Sequence, residues 1–259
     1  MAKAMLIDTS MCLFCNACSV ECKQQNKVPV GKNVFYTQMQ IHEEGKFPKV
    51  RQLFIKRACN HCTEAACVDV CPTGALYHHA DGYVVLDQNR CNGCGYCSQF
   101  CPFQIPMLEI KDAFTGAGKS YKCTFCADRV GQGYETTCSA ACPFGAITFG
   151  DRENLLAKGK DRVKALQGRG VKDARLYGEK ELGGLNVLYV LEGKASLYGL
   201  PDVPRYPVIP KVRDVVRGLG YAAVGVTVIG AGLNWVIARR NIRAEEGLEE
   251  EEGKSHEKK

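Results

Sequence analysis

Short apolar runs, not long periodic ones, mark the first 150 positions of this chain. Ile7-Asp8 and Leu86-Asp87 each close an apolar stretch that reads as a strand. Val34-Phe35-Tyr36 and Leu53-Phe54-Ile55 give two more strand-like runs. Ala75-Leu76-Tyr77 and Tyr83-Val84-Val85-Leu86 flank Ala80-Asp81-Gly82, and an Asp-Gly turn between apolar runs predicts a hairpin. Later the pattern changes. Arg162-Val163-Lys164-Ala165-Leu166 predicts a short basic helix stopped by Gly168, with strands following around 174–177 and 186–191. Pro201, Pro204, Pro207 and Pro210 then predict an extended linker.

The 21 residues of 218–238 carry no charge. As a helix they span about 31 Å, enough for the hydrocarbon core of a bilayer. Tyr221 and Trp235 lie near the two ends, as interfacial aromatics do, and Ala223, Thr227 and Ala231 put small residues at four-residue spacing. A buried glycine-rich core helix would have the same length. Arg213 and Arg217 before it and Arg239 and Arg240 after it favour a membrane span. Positive charges leave its orientation open, because Lys211, Arg213 and Arg217 balance Arg239, Arg240 and Arg243. Residues 239–259 read as a disordered charged tail.

The chemistry resides in 16 cysteines. Cys91-x2-Cys94-x2-Cys97-x3-Cys101-Pro102 is the bacterial ferredoxin run for a cubane [4Fe–4S] cluster. Three more quartets accompany it. Cys12, Cys15, Cys18 and Cys22 lack the closing proline. Cys59, Cys62, Cys67 and Cys71 have one loop widened, and Cys123, Cys126, Cys138 and Cys142 carry a long excursion before the third cysteine. The four quartets use every cysteine and predict four [4Fe–4S] clusters. A zinc site would show two C-x2-C pairs around a longer spacer. A disulfide framework would suit a small exported domain, and Met1-Ala2-Lys3-Ala4-Met5 shows neither an apolar export segment nor paired arginines. Thiolates on this scale call for loading in a reducing compartment, the cytosol.

Repetition extends beyond the cysteines. Ile7-Asp8-x3-Cys12 matches Leu86-Asp87-x3-Cys91, and Cys71-Pro72-Thr73-Gly74-Ala75-Leu76 matches Cys142-Pro143-Phe144-Gly145-Ala146-Ile147. The predicted fold is α+β: two ferredoxin-like two-cluster units, duplicated, plus one C-terminal transmembrane helix. The domain division follows. Residues 1–150 form the four-cluster part, with an inner unit over 59–110, an outer unit of 1–22 with 123–150, and an insertion at 23–58. An accessory region and proline linker (151–210), the membrane helix (218–238) and the tail (239–259) complete the chain. Cys101-Pro102-Phe103-Gln104 departs from the repeat by lacking Gly-Ala, so 102–122 reads as a connector.

In two-cluster ferredoxins the fourth cysteine of each run ligates the other cube. Applied here, that rule predicts four ligand sets: Cys12, Cys15, Cys18 and Cys142; Cys123, Cys126, Cys138 and Cys22; Cys59, Cys62, Cys67 and Cys101; and Cys91, Cys94, Cys97 and Cys71.

The formal charge of +6 treats every cysteine as neutral. Thiolates around four oxidised cores would bring the loaded protein to about −2. The basic balance is therefore no argument for nucleic acid, and Lys23, Arg57, Arg90, Lys122 and Arg129 beside the cysteines are expected to offset cluster charge. No Ser/His/Asp set or Gly-rich phosphate loop appears, and His42, His61, His78, His79 and His256 are scattered, so no catalytic site is expected. His61 reads as structural, with tuning of a cluster as the alternative. The membrane segment offers no histidine for haem, so haem or quinone chemistry would belong to another subunit.

Four quartets in this order, ending in C-x2-C-x11-C-x3-C-P, resemble the four-cluster electron-transfer subunits of molybdopterin oxidoreductases. Leu197-Tyr198-Gly199-Leu200-Pro201, a proline linker, one apolar helix and an acidic tail are similar to the beta subunits of membrane-bound formate dehydrogenases. The resemblance implies electrons delivered by a molybdenum- or tungsten-pterin catalytic subunit that oxidises formate, and passed to a membrane cytochrome b subunit and quinone. It also implies single-pass attachment to the cytoplasmic membrane. The cluster part would face either the cytoplasm or, after export with its partner, the periplasm. Nitrate reductase relatives carry Trp at one cysteine of the third quartet, whereas Cys91, Cys94, Cys97 and Cys101 are all cysteine here. The alternatives are the same role in a thiosulfate, polysulfide or sulfoxide reductase, or a hydrogenase-linked ferredoxin subunit.

Overall fold

A computed structural model describes residues 2–28, 34–110 and 118–256, with backbone alone for 209–215, 217 and 242–256. The chain forms β1 (Lys3–Asp8), α1 (Ala17–Gln25), β2 (Thr37–Lys46), β3 (Lys49–Ala58), α2 (Ala66–Asp69), β4 (Leu76–His78), β5 (Val84–Leu86) and α3 (Tyr96–Gln99). It continues through β6 (Met107–Ile110), β7 (Gly118–Tyr121), α4 (Ala127–Gly131), α5 (Thr137–Ala140), β8 (Ile147–Asp151), α6 (Arg152–Gly168), β9 (Arg175–Tyr177), β10 (Val187–Leu191) and α7 (Val208–His256). Residues Met1–Pro207 make one compact unit and Val208–Lys259 a second.

The first unit is built on a four-stranded sheet ordered β8-β1-β10-β9. β1 runs antiparallel to β8 and parallel to β10, which is buried at every position. A strand with neighbours on both edges and covered faces reads as a continuous apolar run, and Val187-Leu188-Tyr189-Val190-Leu191 is one. α6 covers one face through Leu155 and Leu166, which join Ala4, Leu6, Leu188 and Val190. Gly159 lets it come close, since a Cβ there would lie 2.7 Å from Leu176 Cδ1. Residues 151–191 therefore complete the sheet that carries the first and last quartets.

Three hairpins hang from this frame, β2-β3, β4-β5 and β6-β7. The second is the expected Asp-Gly hairpin, with Leu76 opposite Leu86 and Gly82 at φ +92°. The other two correct the sequence reading. Val34-Phe35-Tyr36 lies outside any strand, and β2 starts at Thr37. The supposed connector 102–122 holds the β6-β7 hairpin, with Met107 paired to Tyr121; its segment 111–117 lies outside the described residues. Gln104, where the repeat lacks glycine, still adopts φ +53° and donates its amide to Cys101 O, matching Gly74 on Cys71 and Gly145 on Cys142. The turn survives because the backbone bond, not glycine, closes it.

Two further expectations change. The helix expected near 162–166 extends over Arg152–Gly168. The charged segment 239–256, expected to be disordered, continues α7; Glu, Lys, Arg and Ala have high helix propensity and Pro210 falls in the first turn, where proline is tolerated. Residues 257–259 lie outside the described part. Within α7, Gly218–Asn241 is long and apolar enough to cross a membrane and none of it is buried. Thr227 turns its hydroxyl back onto Ala223 O at 3.1 Å, which satisfies its polar atom within the helix.

Candidate metal centres

Each quartet turns at the residue before its second cysteine. Phe14, His61, Gly93 and Phe125 occupy that place, at φ +56°, +47°, +76° and +58°. This left-handed step is costly for ordinary residues, and its recurrence curls each C-x2-C pair into a loop. Short helices follow: Cys18 and Cys22 lie on α1, Cys67 on α2, Cys97 on α3 and Cys138 on α5.

The loops are brought together in pairs. Asp8 N–H donates to Ala146 O at 2.8 Å, so the strand entering the first quartet pairs with the segment leaving the fourth. Asp87 N–H donates to Ala75 O at 2.8 Å, doing the same for the third and second. α1 packs on α5, and α2 packs on α3.

The thiols group accordingly. A cavity is framed by Cys12, Cys15, Cys18 and Cys142, with Lys56 at its wall. The thiols bearing on Cys22 are Cys138 and Cys126, and those bearing on Cys123 are Cys22, Cys138 and Cys126. Those bearing on Cys62 are Cys59, Cys101 and Cys67. Cys91 and Cys94 bear on Cys97, and Cys71, Cys62 and Cys67 all pack on the small core that holds Cys97. Burial pushes the Cys18 and Cys22 thiols up to about 11 and raises those of Cys62, Cys67 and Cys123 further. Burial also acts on Cys71, but the amide of Leu76 and the hydroxyl and amide of Thr73 outweigh it and bring that thiol down.

All sixteen cysteines are free. Among the described residues no three Cys, His, Asp or Glu side chains converge closely enough to hold a single metal ion. The donors are all sulfur and more widely set than a lone zinc requires. Grouped thiols around a sulfur-lined cavity fit a cubane cluster, to which each cysteine would give one thiolate.

Amides already point at these sulfurs. Phe125 N–H lies 3.4 Å from Cys123 Sγ, and Thr137 N–H lies 3.5 Å from Cys126 Sγ. Ser120 serves the third quartet twice, its amide 3.5 Å from Cys91 Sγ and its hydroxyl 3.1 Å from Cys97 Sγ. Ser120 is not apparent from the sequence, because it reaches the loop only through the β6-β7 hairpin.

Of the cations expected to offset cluster charge, Lys122 is buried, with Nζ 2.6 Å from Val84 O and 3.0 Å from Cys123 O. Lys23 instead lies over the Phe35 ring, Arg57 holds Phe103 O, Arg90 pairs with Asp87 and Arg129 holds Glu135 O. Lys56, absent from that expectation, is as buried as Lys122. Burial acts to lower its pKa, but the neighbouring sulfurs of Cys138 and Cys123 act the other way and the net direction is upward. His61 is fully buried; Nδ1 accepts from Val84 N–H, which leaves the proton on Nε2, and Nε2 has no partner among the described residues. Burial, then Lys122, holds His61 far below its ordinary value and thus neutral.

Comparison with known proteins agrees with the sulfur geometry. Residues 50–152 match the 4Fe-4S dicluster domain, and the chain carries [4Fe–4S] clusters. The formate dehydrogenase-O iron-sulfur subunit of Escherichia coli (strain K12) is 36% identical, covering 95% of this chain and 89% of that one. The formate dehydrogenase iron-sulfur subunit of Haemophilus influenzae is 34% identical, covering 95% and 83%. The thiosulfate reductase electron transfer subunit PhsB of Salmonella typhi is 40% identical, covering 56% and 74%. With 34–36% identity over 95% of its length, the chain belongs to the family of formate dehydrogenase iron–sulfur subunits.

Proposed function

We propose that this chain is the membrane-anchored electron conduit of a formate-oxidising complex, with four clusters and no catalytic site of its own. Bound [4Fe–4S] cubes supply one-electron transfer. The protein's part is to hold them, exclude water and fix the charge around them. The observation that carries the reading is the extent of the match: relatives named for formate dehydrogenase cover 95% of the chain, well beyond the quartets. The thiosulfate reductase relative covers 56%, a smaller share of the chain.

The crossed ligand sets are part of the proposal. The outer unit holds one cube on Cys12, Cys15, Cys18 and Cys142 and another on Cys123, Cys126, Cys138 and Cys22. The inner unit holds one on Cys59, Cys62, Cys67 and Cys101 and another on Cys91, Cys94, Cys97 and Cys71. The matching amide bonds, Asp8 to Ala146 and Asp87 to Ala75, support two equivalent units nested in one chain. Gly218–Asn241 acts as the single membrane span. The partners are a molybdenum- or tungsten-pterin subunit and a membrane cytochrome b.

Purification of this subunit from native membranes in mild detergent tests the reading. Formate-dependent dye reduction by a co-purified pterin subunit is the expected result. A pterin subunit without formate activity would shift the function to a sulfur-compound reductase.

A further inference from the structure

Lys56 occupies an unusual position for an ammonium. It is 2% exposed on β3, directly opposite Met39 of β2. Among the described residues no carboxylate pairs with it, and its hydrogen-bond contact is the thioether of Met5 at 3.8 Å, a weak acceptor. Lys122, buried to the same extent, differs in having two carbonyls at 2.6 and 3.0 Å. An ammonium removed from water is costly unless an anion faces it. Among the described residues, Lys56 is offered only sulfur.

Beyond Met5, the cysteines that bear on it are Cys138, Cys123 and Cys18, all of the outer quartets. Lys56 is the charged residue in the wall of the cavity framed by Cys12, Cys15, Cys18 and Cys142. Met5 Sδ, which Lys56 touches, also receives the Cys138 thiol at 3.8 Å. Met39, its cross-strand partner, lies 3.5 Å from Cys18 Sγ. One side chain therefore stands between the first and the fourth quartet.

We propose that Lys56 is the internal counter-charge of the two outer clusters and holds their reduction potentials above those that a neutral residue would give. The inference rests on the four-cluster reading. One-electron reduction adds a negative charge to a cluster, and a fixed positive charge in a water-poor interior favours that state. Lys56 would be a positioning residue for charge, with no contact to substrate.

The test is EPR-monitored redox titration of the purified complex with Lys56→Met and Lys56→Arg, the outer signals being those that Cys22→Ser and Cys142→Ser perturb. In Lys56→Met the reduced-to-oxidised ratio of an outer cluster is expected to fall about tenfold at fixed poise, equal to 59 mV for one electron. The inner pair should hold, and Lys56→Arg should retain the native potentials. Unchanged potentials in a fully loaded Lys56→Met overturn the proposal, as does an equal shift in Lys56→Arg. If neutral variants lose the outer clusters, an Arg variant that loads with native potentials upholds it and one that fails with them overturns it. Iron analysis of the unmodified complex is read separately: fewer than four clusters per chain would sink the four-cluster reading instead.

Discussion

Arg162 on α6 reaches across to Asp8 at the end of β1, with Nε 2.6 Å from Oδ2. The side chains are 26% and 9% exposed, so the pair is largely shielded from water. The other oxygen of Asp8 receives the amide and hydroxyl of Ser10, and the Arg162 fork also meets Ser10 Oγ at 3.0 Å. A helix that follows the last quartet thus clamps the loop that opens the first.

Loss of that clamp should be felt at the first quartet. Arg162→Met leaves Asp8 charged, shielded and unpaired, at a cost of about 2–3 kcal/mol, somewhat below that of a fully buried pair. Asp8→Asn should cost less, because an amide oxygen still accepts from Ser10. Heating while following visible iron–sulfur absorbance and EPR should show the cluster of Cys12, Cys15 and Cys18 lost first in Arg162→Met. Uniform loss of all clusters would argue against a local clamp.

Gly93 makes a sharper case. Its φ of +76° alone does not require glycine, since Phe14, His61 and Phe125 take the equivalent step with side chains. Space does require it: a Cβ on Gly93 would lie 2.3 Å from Gly118 O, a backbone atom of β7 that cannot rotate away. Gly93→Ala is expected to cost about 2–3 kcal/mol and to lose the cluster of Cys91, Cys94 and Cys97. Gly145→Ala is the control, with nothing within 4 Å and φ +61°, and should cost about 1 kcal/mol. Iron content per chain measures both.

These cases also mark how far the sequence could be read. Cysteine spacing is local geometry, so the quartets were legible without a fold. The Asp-Gly turn fixed β4-β5 in the same way, β10 stood out as an apolar run, and β9 was legible as a short strand candidate. The β6-β7 hairpin was not legible, because Met107-Leu108-Glu109-Ile110 and Gly118-Lys119-Ser120-Tyr121 are short and mixed in character. α6 buries only Leu155, Gly159 and Leu166 along its length, too sparse a stripe to reveal a helix from Arg152 onward. Lys56 was invisible for a different reason. In Leu53-Phe54-Ile55-Lys56-Arg57 it reads as the charged end of a strand, and only packing β3 beneath the cysteine loops buries it.

The crossed ligand map predicts a displaced effect. Cys22→Ser should alter the cluster held by Cys123, Cys126 and Cys138, and leave that of Cys12, Cys15 and Cys18 intact. Cys71→Ser should likewise alter the cluster of Cys91, Cys94 and Cys97. EPR of the reduced variants reads this directly. An altered Cys12, Cys15 and Cys18 signal in Cys22→Ser would mean that each quartet holds its own cube.

The C-terminal helix makes a prediction about partition. Gly218–Asn241 exposes Leu219, Val226, Ile229, Leu233 and Trp235, all more than half accessible. A patch of this size on a single helix is costly in water at about 25 cal/mol per Å². Arg239 lies over the Trp235 ring at 5.1 Å, an arrangement suited to an interface where the ring meets lipid and the guanidinium meets water. Two arginine codons in place of those for Val226 and Ile229 put charges at the centre of the span, at about 2.5–3.5 kcal/mol each. Val226→Arg with Ile229→Arg should therefore move the subunit from the membrane pellet to the soluble fraction with its clusters loaded, because Met1–Pro207 forms its own compact unit. Retention in the pellet after alkaline washing, by a subunit still bound to a cytochrome partner, would assign membrane attachment to that partner rather than to the helix.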